Sequence, residues 1–209
     1  MARTRTHDLD RLMDAAEALA VESGPTAVTV RALSEATSVS NGAIYHAFGS
    51  RAGLMGHVWL RAARRFLDLQ RDAVDRALTT GSAPQNAVEA VVAAADAPAE
   101  YSIRYPVSGH FLLAVRRADV LGSGDVPNDV ATQLNALDDA LTTLFVRLTR
   151  GVWDRADREA VAVIRDCVVE LPAALLLRGR RDPTPAVRDR LAAAVRAVLA
   201  LTPPDPAPR

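Results

Sequence analysis

Apolar positions recur every three or four residues along almost the whole chain, and no strand-like alternation is evident, so the pattern predicts helices only. The first stripe, Leu9, Leu12, Met13, Ala16, Leu19 and Ala20, is closed by Gly24-Pro25. Two short helices follow. Val30, Leu33 and Ala36 share one face, Thr37-Ser38 reads as a turn, and Ser40 stands where an N-cap would begin the next helix. Ile44 and Phe48 then lie four residues apart on one stripe. At about 100° per residue the opposite side carries Gly42 and His46, flanked by Ala43 and Tyr45. A helix this short is not stable alone and must be held by its neighbours. What it presents outward is a slim, mixed-polar ridge of the shape that enters a DNA major groove.

Beyond this block a long helix is expected from Arg51 to about Leu78, with Leu54, Val58, Ala62, Phe66 and Leu69 inward. Residues 79–84, TTGSAP, break it. Further helices are expected over Gln85–Ala95, where Ala97-Pro98 punctuates, and over Ser108–Val120. The segment 122–128, GSGDVPN, is the clearest internal linker. Val130, Leu134, Leu137, Leu141, Leu144 and Leu148 make one regular face, and two more helices fit Asp157–Leu177 and Thr184–Leu201. The expectation is an all-α chain of about nine helices: residues 1–53 a helix-turn-helix domain with a disordered arm at 1–6, residues 54–201 a second helical domain, and a proline-rich, unfolded tail at 202–209.

The run Ile44-Tyr45-His46-Ala47-Phe48, followed by Gly49-Ser50-Arg51, resembles the recognition helix of TetR-family transcriptional regulators, which ends in Tyr-His-x-Phe. The motif covers about the first quarter of the chain; beyond it only helix number and spacing agree. The family usually has glycine in the turn where Ser38 stands. A positive φ there would strain a serine by roughly 1 kcal/mol. The resemblance implies a homodimer built through the last two long helices, reading double-stranded, pseudo-palindromic operator DNA, and a helical body that takes a small-molecule effector.

Composition adds limits. In 209 residues, 49% apolar and only 4% aromatic, the core must be aliphatic. All basic residues are arginine, which points to a GC-rich coding genome, and 25 acids balance 25 bases. Within residues 1–51, Arg3, Arg5, Arg11, Arg31 and Arg51 face six acids, so any positive potential toward DNA must come from placement and helix N-termini. The lone Cys167 excludes an internal disulfide and suits a reducing compartment. The start, MARTRTHDLD, lacks an apolar core of a leader, and Val168–Leu177 is too short to span a bilayer. A soluble cytoplasmic protein without membrane contact is expected.

Individual residues carry two readings each. Tyr45 and His46 are either surface groups or, within the motif, phosphate contacts that set register. Gly42 and Ala43 let the backbone approach base edges, and Ala43 suits a thymine methyl. Asn41 would bond a base or a phosphate, or support the helix start. Thr29 and Ser40 are caps, the former also offering a helix N-terminus to a phosphate. Arg31 would reach backbone or base, or lie solvated. Arg51, where the family usually has lysine, is an implied phosphate clamp, and Arg3 and Arg5 resemble a minor-groove arm.

For the effector, Tyr101, Tyr105, His110 and Phe111 concentrate polar-tipped and aromatic groups, joined by Phe66, Asn135 and Asp138; the alternative is ordinary packing and solvated edges. Val161, Ile164, Val168, Leu171 and Leu175, with Val187, Leu191, Val195 and Val198, form either core or a twofold four-helix interface. Cys167 reads as a small buried hydrophobe. No nucleophile–base set, metal-ligand spacing or glycine-rich phosphate loop supports an enzyme, and no metal or cofactor is expected. A helical ligand-binding or interaction module without DNA binding is the competing reading.

Overall fold

The computed structural model describes residues 2–80, 82, 85–122, 126–177, 182–203 and 205, with side chains from Leu9 onward. Ten α-helices and no strand occur among them. They are α1 (Ala2–Ser23), α2 (Val30–Thr37), α3 (Asn41–Phe48), α4 (Arg51–Thr79), α5 (Gln85–Arg104), α6 (Pro106–Ala114), α7 (Arg117–Leu121), α8 (Asn128–Trp153), α9 (Arg158–Arg165) and α10 (Pro185–Leu199). The arm expected to be loose is helical from Ala2, in keeping with the absence of glycine or proline before Gly24. Parts of the expected breaks and tail, at 81, 83–84, 123–125, 204 and 206–209, lie outside the described residues.

The chain divides into two compact units. One is Met1–Arg64 with Tyr105–Leu137, the other Arg65–Arg104 with Asp138–Arg209. The first therefore reaches well past the boundary expected at residue 53, because α6, α7 and the start of α8 belong with it.

In the first unit the expected stripes are the buried ones: Leu12, Ala16 and Ala20 of α1, Leu33 of α2, Leu54, Val58 and Ala62 of α4, Val130 and Leu134 of α8. A buried charge cluster crosses this core. Glu17, only 3% exposed, accepts from Arg61 at 2.7 Å and from the Ser108 hydroxyl of α6, while Arg61 also reaches Asp14 at 2.7 Å. Burial alone would lower the Arg61 pKa, but its bonds to Glu17 and Asp14 outweigh this and raise it. Glycine permits two close approaches. A Cβ on Gly53 would stand 2.1 Å from the Phe48 carbonyl, and one on Gly56 2.7 Å from Val130 Cγ1.

The second unit packs α5, the latter halves of α4 and α8, α9 and α10 around Val91, Ala94, Ala95, Leu148, Ile164, Cys167, Leu191 and Val195. Pro98 does not end α5, contrary to the expectation from its ring. A proline at this position leaves the carbonyl four residues earlier, on Ala94, without its helical donor. Gln70 of α4 supplies one: its Nε2 donates to the Ala94 carbonyl at 2.9 Å. The helix continues because a side chain from elsewhere replaces the lost bond. Proline acts differently at 172, where α9 runs on through π-helical turns at Asp166–Glu170 and Ala173–Leu177 on either side of it. Farther on, Pro203 of the expected unfolded tail is buried, and its carbonyl accepts from Arg155 at 3.3 Å.

Candidate nucleic-acid interface

Local bonds fix both ends of the two short helices. Thr29 Oγ1 caps α2 by accepting from Ala32 N at 3.1 Å, and Ser40 Oγ caps α3 by accepting from Ala43 N at 3.2 Å. Between them Ser38 turns the chain in the left-handed region, at φ 60° and ψ 19°, where its N–H closes α2 on the Ser34 carbonyl. That is the strained conformation expected from the absent glycine. Gly49, at φ 71°, turns the chain again after α3, and its N–H bonds Tyr45 O at 2.8 Å. Ser50 Oγ then caps α4 through Gly53 N.

Ile44 and Phe48 anchor α3 inward, and Phe48 meets His57 of α4 edge-on with centroids 5.5 Å apart. Burial lowers the His57 pKa, Asp129 opposes the shift and Arg64 adds to it. The imidazole therefore favours its neutral form.

All nine residues expected to face DNA are exposed: Thr29, Arg31, Ser40, Asn41, Gly42, Ala43, Tyr45, His46 and Arg51. They differ in what already holds them. Thr29 and Ser40 are caps. Arg31 pairs with Glu35 at 2.9 Å, both well exposed, so water screens the pair and a competing phosphate can displace it. Arg51 differs from its expected role as a phosphate clamp. Its Nε donates to Val28 O at 2.6 Å and its Nη2 to Pro25 O at 2.5 Å, tying α4 to the segment before α2. The planar guanidinium suits two diverging carbonyls better than an ammonium would. Asn41, Tyr45 and His46 have side chains without partners among the described residues, and Tyr45 is 54% exposed. A Cβ on Gly42 would meet nothing within 4 Å. Nothing inside the chain requires glycine there.

The expected effector residues divide. In the second unit Phe66 and Tyr101 meet edge-to-face at 5.5 Å, with Tyr101 buried. In the first, Phe111 is fully buried, Tyr105 half-buried and His110 exposed. Asn135 and Asp138 are exposed because the buried phase of α8 runs through Leu134 and Leu137, leaving these positions off the stripe. Sequence reasoning misses Gln70. It is 2% exposed, and its Oε1 has no hydrogen-bond partner among the described residues. A polar residue one turn after Phe66 on an apolar stripe is the signal that could have found it.

An open groove of about 660 Å³ in the second unit is lined by other residues, among them Arg76, Thr80, Glu89, Asp96, Arg188 and Asp189. Its charges are largely paired: Arg188 with Asp96 and Glu100, and Glu89 with Arg196.

The stripe that reads as either core or dimer interface lies inside the chain. Ile164, Val168, Val187, Leu191 and Val195 are buried in the second unit's core, with Val161, Leu171, Leu175 and Val198 packed against it. A helix buries its strongest apolar face first, and the chain's own helices take it. The outward positions include the apolar Ala162, Val169, Ala193, Ala197 and Leu201, interspersed with the charged Arg165, Asp166, Glu170, Asp189, Arg190 and Arg196. Cys167 is buried in the same core, and burial pushes its thiol up to about 11, with Asp166 adding to the shift, as befits a small hydrophobe.

Residues 12–58, spanning the end-capped pair α2–α3 and its supports, match the family described as bacterial regulatory proteins, tetR family. By this segment the chain is similar to the TetR family. No curated protein matches it in sequence. Solved structures share its fold along nearly the full length. The TetR-family transcriptional regulator PfmR from Thermus thermophilus is 22% identical, with a TM-score of 0.64 over 96% of this chain and 97% of its own. A transcriptional regulator described as putative, from Pseudomonas aeruginosa PAO1, is 18% identical, with a TM-score of 0.68 over 92% and 88%. The ketosteroid transcriptional regulator KstR2 of Mycobacterium tuberculosis is 18% identical, with a TM-score of 0.60 over 92% and 93%. The TetR fold thus extends to α10, while the family's sequence signature stays in the first quarter. Among the described residues no group of His, Cys, Asp or Glu is arranged to hold a metal, and no helix is long and apolar enough to cross a membrane.

Proposed function

We propose that this chain is a TetR-family homodimeric transcriptional repressor that inserts α3 into the major groove of each half of a pseudo-palindromic operator. The observation that carries the reading is the outer face of α3: Asn41, Tyr45 and His46 exposed without partners, beside a Gly42 that opens onto free space. Tyr45 and His46 supply phosphate contacts, and Asn41 and Ala43 approach base edges. A second copy meets the outward positions of α9 and α10, where Ala162, Ala193 and Ala197 allow close approach and Val169 and Leu201 offer exposed apolar surface. Two recognition helices about 34 Å apart would then match one turn of the duplex.

The effector is a small molecule taken by the second unit at Phe66 and Tyr101, where the open acceptor of Gln70 suits a ligand donor. Because α4 is one helix from Arg51 to Thr79, a shift at Phe66 is carried along it toward α3, changing the spacing of the two recognition helices. A coupling of about 1–3 kcal/mol releases most operator.

Fluorescence anisotropy with the DNA upstream of the chain's own gene, at stated salt, together with sedimentation, tests the reading. A dimer that binds this duplex well above unrelated DNA is expected. A monomer, or a dimer indifferent to sequence, overturns it in favour of a ligand-binding module without operator recognition.

A further inference from the structure

The outer face of α3 also limits which bases it can prefer. Over Asn41–Phe48 there is no arginine, lysine, glutamine, aspartate or glutamate. Guanine is singled out in the major groove chiefly by a guanidinium or ammonium on O6 and N7, and cytosine by a carboxylate accepting from N4. The helix has neither group. It has Asn41, whose amide both donates to N7 and accepts from N6 of adenine, and Ala43, whose methyl suits the methyl of thymine. Tyr45 and His46 are the phosphate contacts of the reading above, and a phosphate contact carries no base preference. Gly42 removes any side chain from the middle of the ridge, and its surroundings are open. The nearest guanidinium on α2, that of Arg31, is paired with Glu35.

From this inventory we infer that the chain recognises its duplex by A·T pairs at the two base positions facing Asn41 and Ala43 in each half-site, with no guanine selected by α3. The inference rests on the operator-binding reading above and specifies the class of duplex. Steric freedom at Gly42 adds a second consequence: a guanidinium placed there creates the missing guanine reader without disturbing the fold.

Selection from a randomised duplex library with the full-length protein, followed by anisotropy titration of the selected sites, tests both. Selected half-sites are expected to share adjacent A·T pairs. Replacing the adenine pair by G·C weakens binding about tenfold. Asn41→Ala removes that difference while binding to the selected site stays above that to unrelated DNA. Gly42→Arg, with an unchanged thermal melt, moves the selected consensus toward guanine. Half-sites fixed as G·C where Asn41→Ala has its effect, or an adenine preference that survives Asn41→Ala, overturn the inference while leaving the regulator reading intact. A library from which no sequence is enriched overturns the regulator reading itself.

Discussion

Helix α3 and the body formed by α5 and α10 use polar side chains in opposite ways. In the body the charged ones are closed on one another, Arg188 with Asp96 and Glu100 and Arg196 with Glu89. The Nε2 of Gln70, from α4, is engaged by the carbonyl that Pro98 leaves without a donor, while the Oε1 of Gln70 stays open. On α3, Asn41, Tyr45 and His46 face outward with no partner among the described residues. The first unit contains both habits, since Glu17, Arg61 and Ser108 are locked together inside it. Groups engaged within the chain hold the fold, and groups left open are the ones available to a partner. Net charge cannot make this distinction. A neutral chain with an acidic first quarter still leaves a hydrogen-bonding ridge open on α3.

The largest effect that would sharpen the contrast comes from Arg61. Arg61→Leu leaves the Glu17 carboxylate buried with the Ser108 hydroxyl and no cation. Removing one member of a buried pair costs about 3–5 kcal/mol, because the remaining charge is uncompensated. Urea denaturation should show that loss. Tyr45→Ala, on the open face, should leave the midpoint within about 0.5 kcal/mol of the parent while weakening DNA binding. An Arg61 variant as stable as the parent would mean that the charges within the core do not hold it.

Next in size is the bond between α4 and α5. Gln70→Leu strands the Ala94 carbonyl in the core, at a cost of about 1–3 kcal/mol. Pro98→Ala returns an N–H to α5 and gives Ala94 O its own helical donor. In the Pro98→Ala background the loss from Gln70→Leu should therefore shrink, with a coupling of about 1 kcal/mol in the double-mutant cycle. Additive effects would show that Gln70 acts by packing alone.

These two cases also show what the sequence does and does not carry. Stripes such as Leu54, Val58 and Ala62, or Val130 and Leu134, are legible because helical burial has a local period. The outward face of α3 follows from the same arithmetic. Pro98 misleads because its remedy, Gln70, lies on another helix. Arg51 suggests a phosphate clamp because its carbonyl partners, Val28 and Pro25, belong to an irregular segment with no periodic signal. The stripe from Ile164 to Val195 is ambiguous for a different reason. An apolar face turned to the chain's own core and one turned to a second copy have the same spacing, and only the folded chain shows which helices reach it first.

The smallest effect concerns the turn between α2 and α3. Ser38 holds φ 60° in the left-handed region, where its Cβ crowds the following carbonyl by about 1–2 kcal/mol. Ser38→Gly relieves that strain, and the greater freedom of glycine in the unfolded chain returns about half of the gain. A net stabilisation of about 0.5–1 kcal/mol is expected, read as a rise in melting temperature. The Ser34 carbonyl keeps its bond to the backbone N–H of residue 38 in either variant, so the angle between α2 and α3 is preserved. Operator affinity should then change less than twofold. A gain in stability with a loss of affinity would break the comparison at its hinge, because the strain at Ser38 would then be setting how α3 is presented and not merely accompanying it.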